Sequence, residues 1–372
     1  MGILSGISYP LFVSSLMKNV NLLFAILIGA IFEIPLLLMY YMLTKKIPLN
    51  GGDYAYIRSS FSPKFYTIFG ISLWLIYVFS APVLADLVLL NFNISIIDKF
   101  LISESLFAIG LLSLVKKSIY AYIVDGIAIL QIIVSLLLPI QSFHFEIQSF
   151  TIQNTLLSAL LFDLSAFIFI NAISYIAGEI KDISKNAKIG YFLSYLVVTI
   201  LAILDSYSNL NILFILFPIW YMSYLFINSM IQSRLVQNLA FDKILPENFT
   251  KITPNVLLLI FTADTITNVL ENLLNFSISF GLDGLLFIFW NFIIVSFAFL
   301  KLINNKLLFS IVLTSLILQI FLFFYLGIQN IIFYNFVIQG NILYAILRIL
   351  LMPIVGIIIY LLRRNKVNAE LK

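Results

Sequence analysis

Six acidic residues lie within long apolar stretches of this sequence, where an ionised side chain is costly to bury: Glu33, Asp86, Asp125, Asp163, Asp264 and Glu271. Such residues are by default candidates for an ion, proton or substrate path. Asp125, Asp163 and Glu271 lie near enough to the ends of their stretches to reach a membrane interface. Glu33 and Asp86 are the acids that could carry a coupling proton.

The sequence contains few residues that are suited to other kinds of chemistry. The sequence has no cysteine and one histidine, His144, which excludes disulfides, thiolate metal sites and cysteine nucleophiles. The single histidine argues against a histidine-based metal site or a serine–histidine triad. No carboxylate pair has catalytic spacing, and there is no glycine-rich nucleotide loop. We therefore expect no enzyme activity and no cofactor, with a coupling proton or sodium ion left open. The net charge of +4 reflects loops and does not indicate nucleic-acid binding.

The composition places these acids in a membrane protein. Hydrophobic residues make up 62% of the 372-residue chain and charged residues only 10%, against roughly 25% charged residues in soluble domains. A helix needs about 20 apolar residues to cross a bilayer, and such runs recur here without the alternation of barrel strands. Because backbone groups in lipid must be satisfied internally, these runs predict α-helices.

The expected fold class is an all-α integral membrane protein with about 12 transmembrane helices in a single domain over 1–372. With the N-terminus inside, all but three of the 21 Lys and Arg residues fall in inner loops. This bias predicts a multi-pass protein of the plasma or inner membrane with both termini cytoplasmic. The predicted spans are 3–17, 20–43, 65–91, 101–115, 119–140, 156–177, 189–204, 212–231, 256–274, 282–300, 307–328 and 342–362.

The inner loop after span 2 carries a first motif, in which Gly51 and Gly52 are followed by Asp53 and Tyr54. Paired glycines interrupt a helix at the membrane surface. Tyrosines that follow such a break are expected at the level of the lipid headgroups.

Two further inner segments carry motifs. The segment after span 6 contains Glu179 and Lys181, and the loop after span 8 contains Arg234, Asp242 and Pro246 and ends in a Thr-Pro pair. The loop after span 8 suits a cytoplasmic joint and gate between helices 8 and 9 better than substrate chemistry, whereas the segment after span 6 could also be a solvated amphipathic turn at the interface.

Together with Ser5-Gly6-Ile7 near the N-terminus, these motifs resemble, in order and spacing, the amino acid–polyamine–organocation (APC) superfamily of permeases, amino acid transporter type. The resemblance covers nearly the whole chain. It implies a LeuT-type fold with inverted five-helix repeats over 1–142 and 151–300, helices 11 and 12 over 301–372, and helices 1 and 6 broken at mid-membrane. The segment after span 6 departs from the family pattern at Gly178 and Ile183.

The resemblance implies a substrate site between the two broken helices, where free backbone groups and half-helix dipoles suit the carboxylate and ammonium groups of an amino acid. The residues implied for substrate binding are Ser5, Gly6, Ile7, Ser165, Ile168, Phe169 and Asn171. Where relatives have Gly-Phe-Glu, this chain has Phe-Ile-Asn at 169–171. It therefore lacks the glycine that favours a sharp break and an acid that relatives use for coupling or gating.

The implied function is secondary active transport of amino acids or related organic amines across the cytoplasmic membrane by alternating access. A proton, a sodium ion or exchange could drive it, and span 5 has no lysine of the kind some relatives use for proton coupling. The alternative is a non-transporting membrane receptor or subunit that retains the permease fold.

Compared with the family, helix 1 lacks its first half, which predicts either a start farther upstream or a truncated copy. Oligomeric state stays open.

Overall fold

A computed structural model describes residues 19–89, 95–141, 151–167, 169–207, 216–269, 280–329 and 342–368. Within these ranges the chain is helical and contains no β-strand. Helices occupy the positions of predicted spans 2 to 12, whereas span 1 lies outside the described residues. The expectation of an all-α protein is confirmed for this part of the chain.

Several helices begin where a polar side chain accepts a hydrogen bond from the first turn. Asn21, Ser95 and Thr151 accept such bonds at 3.1, 3.1 and 3.4 Å. The α-helices are α1 (Leu22–Lys46), α2 (Asp53–Arg58), α3 (Pro63–Leu89), α4 (Ile96–Ser113), α5 (Lys117–Gln141), α6 (Ile152–Ala166), α7 (Ala172–Tyr175), α8 (Ile183–Asp205), α9 (Leu216–Phe241), α10 (Pro254–Asn268), α11 (Phe280–Ile303), α12 (Lys306–Gln329) and α13 (Ile342–Asn368). Short 3-10 helices lie at Ala177–Glu179 and Glu247–Phe249.

Four segments of the described chain are long and apolar enough to cross a membrane: Leu22–Lys46, Pro63–Ser80, Lys117–Leu137 and Ile183–Asp205. Shorter apolar helical segments lie at Phe289–Ile303, Lys306–Leu322 and Leu350–Arg363. Large apolar side chains also face outward on the other helices. Leu112 on α4 is 65% exposed and Leu258 on α10 is 63% exposed. Because lipid tolerates such a surface and water opposes it, this exterior suits a bilayer.

The helices pack in two groups. In the first, α1 lies against α6 and α8, and α12 packs against α1 and α6. In the second, α3 lies against α9, α10 and α13, and α4 packs against α9 and α10. Helix α5 contacts α8 and α9, and α11 contacts α1, α2 and α3, so these two helices join the groups.

The closest approach of α1 to α6 depends on a small residue. A Cβ atom added at Gly29 would lie 2.5 Å from the carbonyl oxygen of Ala159. Small residues at helix contacts let backbones approach closely, which is a common basis of helix association in membranes.

Loops that the sequence places on one side of the membrane meet each other in the structure. The Tyr54 hydroxyl, in the loop after span 2, donates to Asp242 Oδ2 in the loop after span 8 at 2.6 Å. At the predicted outer side, the Thr151 N–H donates to the Asn19 carbonyl at 3.0 Å. Segments that are far apart in the sequence thus pack against one another.

Candidate functional site

The helical segment predicted as span 6 is interrupted after Ala166. Phe167 has φ −112° and ψ 10°, and α7 begins only at Ala172. Turn hydrogen bonds replace the helical ones: the Ile170 N–H donates to the Phe167 carbonyl at 2.8 Å, and the Ala172 N–H to the Phe169 carbonyl at 2.9 Å. The interruption lies where the resemblance places the break of helix 6.

This interruption forms without a glycine. The Phe167 ring stacks on Tyr195 with centroids 5.3 Å apart, and the Phe169 ring lies 5.1 Å from that of Tyr224. Both phenylalanines are at most 2% exposed. Because buried aromatic side chains contribute strongly to packing, tertiary contacts at these two positions outweigh the local preference of the backbone for a continuous helix.

Asn171, at the interruption, belongs to a buried polar group that surrounds Asp53. Asn171 Nδ2 donates to Asp53 Oδ2 at 2.6 Å, and Asn291 Nδ2 on α11 donates to the same oxygen at 2.7 Å. The hydroxyls of Tyr40 on α1 and Tyr175 on α7 also interact with this carboxylate. All five residues are at most 4% exposed. We call them the Asp53 cluster.

The Asp53 cluster contains one carboxylate and, among the described residues, no basic partner for it. Burial raises the pKa of Asp53, and the hydrogen bonds from Asn291 and Asn171 oppose this rise. Asp53 Oδ1 accepts no hydrogen bond. The cluster therefore has the charge and the acceptor atoms to hold a cationic group.

A buried polar stripe on α9 continues from the Asp53 cluster. Asn228 Nδ2 donates to the Tyr77 carbonyl at 3.0 Å and to Ser80 Oγ at 3.2 Å, and Gln232 Nε2 donates to Asn228 Oδ1 at 2.9 Å. The Tyr77 hydroxyl accepts a bond from Asn171 Nδ2 at 3.3 Å, which links the stripe to the cluster. Polar groups thus lie inside a molecule whose outer helix faces are apolar.

The predicted loop motifs converge in a set of ion pairs. Arg58 Nη2 lies 2.6 Å from Asp242 Oδ1, and the Tyr54 hydroxyl donates to the other oxygen of this carboxylate. Arg234 pairs with Glu179. Burial and the neighbouring Asp242 carboxylate raise the pKa of Tyr54 well above its usual value, so Tyr54 remains a hydrogen-bond donor.

Glu179 has two further partners. Lys117 Nζ lies 2.8 Å from Oε2, and Asn50 Nδ2 donates to Oε1 at 3.1 Å. The Lys117 side chain is 67% exposed, so its pair with Glu179 is largely screened by solvent. The loop junction is defined here as Arg58, Lys117, Glu179, Arg234 and Asp242.

The two glycines of the first motif are required by the backbone. Gly51 has φ +110° and Gly52 has φ +54°, a region that side chains oppose. A Cβ atom at Gly52 would lie 2.6 Å from the Tyr175 ring, and one at Gly51 would lie 2.6 Å from Asn238 Nδ2. The glycine pair thus seats α2, which carries both Asp53 and Arg58.

The residues implied for substrate binding are described in part. Phe169 and Asn171 lie at the interruption, but only Asn171 joins the Asp53 cluster. Ser165 lies within α6, and its side chain is outside the described part of the structure. Ser5, Gly6, Ile7 and Ile168 lie wholly outside the described residues.

Four motif residues differ from what their motifs suggest. Lys181 and Pro246 are exposed and take no part in the ion pairs of the loop junction. The tyrosines after the glycine pair, Tyr54 and Tyr56, are fully buried within the protein rather than facing lipid headgroups. Tyr56 contacts the Thr44 hydroxyl at 2.9 Å.

The acids singled out in the sequence also differ in their surroundings. Glu33 and Asp163 are both buried and share a side-chain hydrogen bond between α1 and α6, so Asp163 does not reach an interface. Asp264 is buried as well. The side chain of Asp86 and all of Glu271 lie outside the described residues.

Sequence reasoning did not assign Asp53, Tyr40, Tyr175 or Asn291 to a site. The one available signal was the acid directly after the glycine pair. It was interpreted as part of a surface loop, although the structure buries it completely.

A viral protein matches almost the full chain. The sequence is 73% identical over 369 residues to "Uncharacterized protein 399" of Sulfolobus islandicus rod-shaped virus 1, an overlap that covers 99% of this chain and 92% of that protein. No protein-family model matches the sequence. The chain therefore belongs to the same family as Uncharacterized protein 399 of Sulfolobus islandicus rod-shaped virus 1.

Proposed function

We propose that the protein is a membrane permease of the APC type that carries amino acids or related organic amines by alternating access. The observation that carries this proposal is the interruption between α6 and α7, which places Asn171 in a buried polar cluster inside a bundle with an apolar exterior. Helix interruptions present free backbone N–H and carbonyl groups, which bind the charged ends of a substrate.

The helix packing supports a LeuT-type arrangement of inverted repeats. In two repeats of five, spans 2, 3 and 4 correspond to spans 7, 8 and 9. The matching helix pairs α1 and α8, α3 and α9, and α4 and α10 are each in contact, as helices beside a pseudo-two-fold axis would be. The proposed architecture extends this arrangement to about twelve spans, with helix 1 as the second interrupted helix.

The loop junction has the connections of an inner gate. The pair Arg58–Asp242 links α2 to the loop after α9, and Arg234–Glu179 links α9 to the segment after α7. Opening towards the cytoplasm would separate these elements and break both pairs. The proposed cycle therefore alternates between the described state, with the junction closed, and one in which it is open.

Uptake into proteoliposomes tests the proposal. Purified full-length protein should accumulate at least one member of a panel of radiolabelled amino acids and amines. Asn171→Ala and Gly6→Leu should abolish this uptake, whereas Asn154→Ala, at the far end of α6, should leave it intact. A protein that neither binds nor takes up any member of the panel would contradict the proposal.

The second candidate is a non-transporting membrane receptor or subunit that retains the permease fold. It is favoured by the engagement of Phe169 and Asn171 in contacts within the protein, together with the missing glycine and acid at the interruption. Saturable binding of a labelled amino acid without accumulation in the vesicles would select this candidate.

A further inference from the structure

The Asp53 cluster concentrates oxygen atoms that lack hydrogen-bond partners. They are Asp53 Oδ1, Asn171 Oδ1 and Asn291 Oδ1. A buried polar atom without a partner lowers the stability of the folded state. Several of them around one carboxylate leave acceptor atoms that a bound group could satisfy.

The charge of the cluster limits what that group is. Asp53 supplies a single negative charge, and the groups that contact it are neutral: two side-chain amides on Oδ2 and the hydroxyls of Tyr40 and Tyr175. Within the described residues, no three His, Cys, Asp or Glu side chains come together. Divalent cations are usually bound by more than one carboxylate or with several waters. A single carboxylate surrounded by neutral oxygens matches a monovalent cation.

The packing around the cluster limits the size of the group. The Tyr40 ring lies 5.9 Å from that of Phe292 and 6.5 Å from that of Tyr56, and the Tyr77 ring lies 6.3 Å from that of Tyr175. All of these rings are buried. This aromatic shell suits a small ion better than the ammonium group of an amino acid, which would bring the rest of the molecule with it.

We propose that the Asp53 cluster is a binding site for a monovalent alkali cation. Na⁺ is the ion used to test this site. Oxygen-only ligands suit such hard cations rather than transition metals. The site joins α1, α2, α7 and α11 through one ion, and thereby ties the helix interruption at Asn171 to the helix that carries Arg58. Binding stands on these contacts alone, whereas a role as coupling ion rests on the proposed transport function.

Thermal unfolding of the full-length protein in detergent tests the site. NaCl and choline chloride at equal ionic strength should give different unfolding temperatures, with a saturable rise in NaCl because an ion that binds only the folded state stabilises it. Asp53→Asn should abolish the Na⁺-specific rise. Asp98→Asn, which removes an exposed carboxylate on α4, should retain it.

Tyr175→Phe is a second variant that tests the site if Asp53→Asn does not fold. This variant removes one of the two hydroxyls that interact with the Asp53 carboxylate, and it should weaken Na⁺ binding by about tenfold, equivalent to about 1.4 kcal/mol. The proposal is overturned if Na⁺ and choline give the same unfolding temperature at every pH, as they would if Asp53 held only a proton. It is also overturned if Asp53→Asn or Tyr175→Phe binds Na⁺ as tightly as the unaltered protein.

The outcome is separable from that of the transport proposal. Specific Na⁺ binding in a protein without amino acid uptake would retain the ion site and reject the permease. Amino acid uptake by a protein that shows no Na⁺-specific stabilisation would retain the permease and reject the ion site.

Discussion

Two buried carboxylates near α2 have opposite surroundings. Asp242, in the loop junction, is paired with Arg58 and accepts a hydrogen bond from Tyr54. Asp53, at the start of the same short helix that Arg58 ends, has only neutral partners in the described structure. Both acids are at most 2% exposed, so burial does not distinguish them.

The difference separates a structural role from a functional one. A buried carboxylate with a basic partner helps to hold two segments together, whereas a buried carboxylate without one costs folding free energy. Residues that lower stability in this way concentrate at functional sites. The loop junction is therefore expected to respond to mutation mainly in stability, and the Asp53 cluster mainly in binding.

The largest effect is expected at Gly52, because it seats the helix that serves both regions. Gly52→Ala must adopt a strained backbone at φ +54° and place a Cβ atom against Tyr175, and we expect a loss of about 3 kcal/mol or more from strain and overpacking combined. Chemical unfolding in detergent measures this. Gly126→Ala, where an added Cβ meets nothing within 4 Å, is the matched control and should be neutral or stabilising. Equal stability of the two variants would contradict the assigned role of Gly52.

Removing the charge of Asp242 should have the next largest effect on stability. Asp242→Asn leaves Arg58 without its carboxylate and weakens the bond from Tyr54, for an expected loss of about 1–3 kcal/mol. The same unfolding assay should show a smaller loss for Asp53→Asn in sodium-free buffer. If Asp53→Asn proves the more destabilising of the two, the contrast between the regions is wrong.

The pH dependence of stability should distinguish the two acids further. Burial raises the pKa of Asp53 in the folded state above the usual value of about 3.9, so the folded protein binds this proton more tightly than the unfolded chain does. The stabilising contribution of protonation is complete below the usual pKa and is lost as pH rises through the raised one. In sodium-free buffer, unfolding temperatures measured upward from pH 4 should fall for the unaltered protein relative to Asp53→Asn. A parallel pH profile for the two proteins would argue against an unpaired Asp53.

The smallest effect is expected at Lys117, the exposed member of the loop junction. Lys117→Gln removes a pair in which the lysine is 67% exposed, and such pairs contribute about 0–1 kcal/mol. Arg234→Gln, at a side chain that is only 8% exposed, is the comparison and should cost more. A larger loss for Lys117→Gln would show that Glu179 depends on the outer lysine rather than on the buried arginine.

The helices were the predictable part of this protein. Predicted span 2 and α1 cover nearly the same residues, as do span 11 and α12, because the length of an apolar run is a local property and a bilayer requires helical backbone throughout it. The interruption near Asn171 has no local signal, since residues 167–171 contain neither glycine nor proline.

The candidate site was predicted only in part. Asn171 was identified, but its partner Asp53 lies 118 positions away in the sequence, and Asn291, the other donor to Asp53, lies 238 positions from Asp53. No periodicity or short motif reports contacts over such distances. Asp53 was consequently interpreted as part of a surface loop.

The sequence by itself determined that the chain forms apolar helices joined by basic loops, because hydropathy and loop charge are properties of neighbouring residues. Tertiary structure alone decided which polar groups come into contact. Asp242 forms an ion pair with Arg58, whereas Asp53 has no basic side chain among its described neighbours. The physical reason is that a hydrogen bond or an ion pair depends on distances of a few ångströms in space, which packing of α1, α2, α7 and α11 sets.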